Sequence, residues 1–189
     1  MARRATNVTR PRILEVALTL FAAHGYEATS LQQIAAALDV TKAALYYHFR
    51  SKADLLHSLA DPPIDAEAAL LAGFTDGALT AGSRRELLAA LIDLHLDHRP
   101  VVAWLARDLS AMAQPGIGER VAANTDRLQR LLAGADQSVA GQVRAAAAVG
   151  ALTRPVAVLE ELDLCDVRGT IVAAALGALG LEYDGDAHP

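Results

Sequence analysis

The side chains best equipped for chemistry in this chain gather between Thr29 and Lys52. Lys42, Tyr46, Tyr47 and His48 place an ammonium group, two phenols and an imidazole within seven residues. Such groups are suited to hydrogen bonding and stacking. Leu45 and Phe49 stand four apart, the spacing of one inward face of a helix from about Lys42 to Phe49. Lys42, Ala43, Tyr46 and Tyr47 must then lie on the other side, where a cation and phenols are poor core and good partners for phosphates and bases.

The elements that must position this face are legible around it. Ser30-Leu31-Gln32-Gln33 has the form of a capping box, and Leu31, Ile34, Ala35 and Leu38 follow at the spacing of a buried helical stripe. Asp39-Val40 makes the turn, because Asp tolerates a left-handed backbone, and Thr41 is an N-cap for the helix after it. Two short helices across a tight turn form a helix-turn-helix, which places its second helix in the DNA major groove. Upstream, Thr9 can cap a helix that admits Pro11 in its first turn, buries Ile13, Ala17, Leu20 and Phe21, and ends at Gly25. Downstream, Ser51 caps a fourth helix from Lys52 to about Leu59, which Pro62-Pro63 is expected to stop or kink.

Thr29, Ile34-Ala35, Val40-Thr41, Leu45-Tyr46, His48-Phe49, Lys52 and Leu55 stand where the TetR family of transcriptional regulators keeps its N-terminal signature. The chain resembles that family over roughly residues 9 to 57. Asp39 departs from it, standing where the family usually has Gly, at about 1 kcal/mol of backbone strain. The resemblance implies that Thr29, Gln32, Thr41, Tyr46, His48 and Lys52 contact phosphates and that Lys42, Ala43 and Tyr47 read bases. It also implies a homodimer on a palindromic operator, most often a repressor, released by a small-molecule effector.

Composition fits a DNA reader once charge is divided along the chain. The net charge is −5, yet residues 1 to 57 hold seven Lys and Arg against four acids, a net +3 that leaves −8 for the rest. A basic module on an acidic body keeps the body off the phosphates. Arg3 and Arg4 belong to an expected mobile basic arm. The single Cys165 excludes an intramolecular disulfide framework and has no activating neighbours, so it reads as an ordinary residue in a reducing cytoplasm. The longest charge-free apolar stretch, Gly169 to Leu181, is too short to span a bilayer, and a cytoplasmic protein is expected.

The predicted fold is all-α: an N-terminal three-helix helix-turn-helix DNA-binding domain, 1–57, and a C-terminal helical domain for ligand binding and dimerisation, 58–189. Within the second, helices are predicted over 64–74, from a capping box at Ser83-Arg84-Arg85-Glu86 to near Pro100, over 101–113, 119–132, 138–159 and 166–181. The last two are rich in Ala and Gly and offer more apolar face than one domain needs. By the resemblance they pair with their copies in a second subunit, and Val149, Leu152, Val156, Ile171, Ala174 and Leu176 are the candidate dimer residues. The same resemblance implies an effector pocket among the central helices, for which Phe74, Leu94, Trp104, Leu105, Leu109 and Met112 are the candidates, suited to a largely apolar, neutral or cationic molecule. Asp93, His95, Asp97 and His98 could bind a divalent metal, but they do not converge on one face and read better as solvated or ligand-facing. No phosphate loop, nucleophile elbow or HExxH motif is present, so neither an enzyme nor a cofactor is expected. The alternative is a constitutive DNA-binding regulator whose C-terminal domain is purely structural or engages proteins.

Overall fold

A computed structural model describes residues 8–75, 79–159, 163–164 and 167–182. Arg3, Arg4 and Cys165 lie outside the described residues. All regular secondary structure among those described is helical: α1 (Arg10–His24), α2 (Leu31–Ala37), α3 (Lys42–His48), α4 (Lys52–Ala72), α5 (Ala81–Asp97), α6 (Arg99–Leu105), α7 (Leu109–Met112), α8 (Gly118–Ala133), α9 (Val139–Val158) and α10 (Arg168–Ala178). The chain divides into two compact units. The first comprises residues up to Pro62 together with Trp104–Gly118, and the second comprises Pro63–Ala103 and the chain from Glu119 onward.

In the first unit the helix ends follow the sequence signals. Thr9 occupies the N-cap of α1 without a side-chain bond, Pro11 lies in the first turn, and Gly25 closes the helix at φ 86°. Ser30 Oγ accepts from Gln33 N–H while the Gln33 side chain accepts from Ser30 N–H, so the capping box is complete. Ile13, Ala17, Phe21, Ile34, Leu45, Phe49, Leu55 and Leu56 are wholly buried and form the centre of this unit. Helix α4, expected to end near Leu59, instead runs through Pro62 and Pro63 to Ala72. Leu59, Ala60 and Ile64 are buried on either side of the prolines, and that packing outweighs the two hydrogen bonds the prolines remove.

The predicted helix over 101–113 is two short helices. Between α6 and α7 the carboxylate of Asp108 caps α7, accepting from Ser110 N–H and Ala111 N–H. Likewise α5 starts at Ala81, two residues before the expected Ser83, because Thr80 Oγ1 accepts from Ser83 N–H and takes the N-cap. In the second unit α9 and α10 pack on each other and on α5. Leu87, Leu91, Leu128, Leu131, Ala145, Leu152, Val156 and Ala175 are among its buried core residues.

Candidate nucleic-acid interface

Helix α3 buries one residue, Leu45, leaves Ala44 and His48 half-buried and exposes the others. Thr41 Oγ1 caps it, accepting from Ala44 N–H at 3.2 Å. Asp39 adopts φ +52° in the turn before it, the left-handed conformation expected of an Asp in place of Gly. Tyr47 is 87% exposed and Tyr46 46%. The Lys42 ammonium lies over the Tyr46 ring at 5.6 Å, and the Tyr47 and His48 rings meet edge to face at 5.2 Å. Thr41, Lys42 and Ala43 are exposed, and so is Gln32 on α2. The structure thus brings seven candidate residues onto α3 and the adjoining part of α2, with hydroxyl, ammonium and amide groups directed to solvent.

Two candidates have another placement. Thr29 is buried and its Oγ1 donates to Gly25 O at 2.8 Å, locking the turn between α1 and α2. Lys52 donates from Nζ to Tyr26 O at 2.9 Å and Glu27 O at 3.2 Å, with its charge 4.3 Å from the centre of the Tyr26 ring. Both act by shaping the turn that carries α2.

That turn is held from a second side, by residues far along the chain. Asp108 accepts from Tyr26 N–H at 2.6 Å and from the Trp104 indole N–H at 3.0 Å, and Ser110 Oγ accepts from Glu27 N–H at 3.2 Å. Both amides and both carbonyls of Tyr26-Glu27 therefore have partners, supplied by Asp108, Ser110 and Lys52. Trp104 stacks on Phe21 with ring centroids 5.3 Å apart, and Phe21 meets Tyr26 edge to face. Burial works against ionised Asp108, but hydrogen bonds from Ser110, Tyr26 N–H, Ala111 N–H and Trp104 prevail and hold its carboxyl below the ordinary value. An Asp followed two residues later by Ser, inside an apolar run, was the available sequence signal.

Arg10 is a further residue the sequence left unmarked. It donates to His48 O at 2.7 Å and Ser58 Oγ at 2.8 Å, and its guanidinium lies 4.1 Å from the centre of the Phe49 ring. It fixes the C-terminal end of α3 against α1 and α4.

The candidate effector residues divide between the two units. Trp104, Leu105, Leu109 and Met112 belong to the first unit, with Trp104 and Leu105 buried and Leu109 83% exposed. Phe74 packs against the core of the second unit, which also contains the half-buried Leu94. Of the candidate dimer residues, Val149, Leu152, Val156, Ile171 and Leu176 are buried within the second unit, and Ala174 is exposed. Among the described residues no three His, Cys, Asp or Glu side chains converge as a metal site. Asp93 pairs with Arg168. No described helix is long and apolar enough to cross a membrane.

The helix-turn-helix is of the kind anticipated from the signature. Residues 13–59 match the family described as bacterial regulatory proteins, tetR family. The chain is 49% identical over 51 residues to the HTH-type transcriptional regulator AcrR of Shigella flexneri, covering 27% of this chain and 24% of that protein. It is 46% identical over 43 residues to the negative transcriptional regulator IcaR of the biofilm operon icaADBC from Staphylococcus aureus, covering 23% of each. These matches span about a quarter of each relative's length. The fold as a whole is similar to that of the ketosteroid transcriptional regulator KstR2 of Mycobacterium tuberculosis, with a TM-score of 0.73 at 21% identity over 95% of this chain and 97% of that one. Residues 13–59 are thus similar to the N-terminal module of bacterial regulatory proteins of the tetR family, and the fold of the chain resembles that of solved structures.

Proposed function

We propose that this protein is a repressor that binds a palindromic operator as a homodimer, with α3 in the major groove, and that a small-molecule effector releases it. The observation that carries the DNA reading is the outward face of α3, where Lys42, Ala43, Tyr46 and Tyr47 stand exposed on a helix whose buried residue is Leu45. Tyr47 and Lys42 read base edges; Thr41, Tyr46, His48 and Gln32 meet phosphates, and Thr29 and Lys52 set the turn that aims them. Selection from a random duplex library tests this. Enriched sites are expected to show two half-sites related by a dyad, with binding that weakens steeply as salt rises. Enrichment of a single asymmetric site, or none, would overturn it.

Dimerisation is supported by what α9 and α10 leave uncovered. Val139 is 79% exposed and Val143 62%, and Gly150 and Gly177 face open space where a partner helix can approach closely. Ala174 shares this exposed small-residue character, whereas Leu176 is core. Ala174→Arg is therefore expected to halve the molar mass measured by light scattering while leaving helix content intact. Wild-type protein that is already monomeric at micromolar concentration would rule the dimer out.

The effector reading is favoured by polar chemistry inside the second unit. His95 is 4% exposed, its Nε2 lies 3.5 Å from a Glu67 carboxylate oxygen, and its Nδ1 is buried with no hydrogen-bond partner. A carboxylate facing Nε2 favours the proton there and leaves Nδ1 as an acceptor. A neutral or cationic ligand with an N–H or O–H donor would satisfy it.

A further inference from the structure

We propose that the second unit carries an anion-binding cleft in which Arg84 captures the phosphate or carboxylate group of a small organic anion whose short apolar body lies against Leu132 and Leu179. The cleft has a volume of about 300 Å³ and is lined by Arg84, Leu132, Asp136, Gly141, Arg144 and Leu179, among others. That volume is at the small end of ligand sites.

Arg84 carries the inference. It stands in the first turn of α5, partly buried, and its Nε is shut off from water with no hydrogen-bond partner. No carboxylate among the described residues pairs with its guanidinium. An Nε–H removed from water without an acceptor is unfavourable, and the planar fork of a guanidinium matches the two oxygens of a carboxylate or phosphate.

A glycine leaves room for this arginine's guanidinium. Gly134 closes α8 at φ +59°, and a Cβ there would fall 2.5 Å from Arg84 Nη2. A second glycine shapes the opposite wall. A Cβ on Gly141 would fall 2.2 Å from Asp136 O, so glycine lets the 136–138 segment fold onto the first turn of α9. There the Asp136 carboxylate accepts from Ser138 N–H at 3.2 Å and Ser138 Oγ at 2.6 Å, and it pairs with Arg144. The one acid of the cleft is thereby matched to one of its two arginines, and the charge of Arg84 remains uncompensated. The first turns of α5 and α9, where Arg84 and Gly141 stand, add the positive ends of two helix dipoles. Leu132 and Leu179 are the larger apolar residues of the lining, against which the short body of an organic anion can rest.

The test titrates the full chain in phosphate-free, low-salt buffer with hexyl phosphate, inorganic phosphate and hexylamine, followed by calorimetry. Saturable binding of one hexyl phosphate per chain is expected, tighter than that of inorganic phosphate, with none for hexylamine. Arg84→Gln is expected to weaken hexyl phosphate by about tenfold or more, because a charge-assisted bidentate contact is lost. Arg84→Lys keeps the charge without the fork and should fall between, which separates loss of the contact from loss of the fold. Unsaturable binding, equal affinity for hexylamine, or undiminished affinity in a folded Arg84→Gln protein would overturn the proposal. None of these readouts involves DNA, so the outcome is independent of operator recognition.

Discussion

Asp108→Ala is expected to lower the free energy of unfolding of the first unit by roughly 2–4 kcal/mol, since it strands the Tyr26 amide and the Trp104 indole and removes the cap of α7. Urea denaturation followed by the emission of Trp104, the single tryptophan, reads this directly, because its ring is stacked on Phe21. Asp108→Asn retains one acceptor oxygen and should cost less. The pH dependence separates charge from packing. The folded carboxyl titrates below its ordinary value near 3.8, so its ionic contribution is complete at neutral pH. That contribution is lost as pH falls below the ordinary value and through the lower folded one. The stability gap between wild type and Asp108→Asn should therefore be constant from pH 5 to 8, on the order of 1 kcal/mol, and narrow in acid. An Asp108→Ala protein with an unchanged urea midpoint would show that the Tyr26-Glu27 turn does not depend on this carboxylate.

The turn also shows where sequence reading ends. The first three helices were legible because their signals are local: Ser30 and Gln33 form the capping box, Thr41 caps α3, and Asp39 takes positive φ. The partners of Tyr26-Glu27 lie 82 and 83 residues away in Asp108 and Ser110, and no periodicity announces such a contact. Pro62-Pro63 misled for a related reason. Local rules say that a proline pair stops a helix, but burial of Leu59, Ala60 and Ile64 decides this one. For α9 and α10 the composition revealed surplus apolar surface without saying which face is surplus. Leu152 and Leu176 went to the core, and Val143, Gly150 and Ala174 were left outside. The polar candidates on α3 were easier to read, because phenols and a lysine opposite Leu45 have no place in so small a core.

Tyr47→Ala is expected to have the largest effect on DNA binding, because the proposed homodimer carries the substitution twice. A good side-chain contact to a base edge is worth about 1–3 kcal/mol of discrimination. Two copies therefore remove about 2–6 kcal/mol from operator binding, a rise in Kd of roughly 30-fold to more than ten-thousandfold. Stability should barely change, because Tyr47 is 87% exposed and its ring touches only His48 among the described aromatic contacts. Tyr46→Ala is the informative contrast. Placed on a phosphate, Tyr46 contributes alike to every sequence, so its removal should weaken operator and single-base variants by a similar factor and leave their order unchanged. Removal of Tyr47 should instead flatten the preference at one position of each half-site. Measuring the selected operator and a set of symmetric single-base variants against both proteins distinguishes the two roles. If Tyr47→Ala bound every site within about twofold of wild type, far below the loss that a base contact implies, α3 would not be reading the major groove through this residue, and the exposed ring would need another purpose.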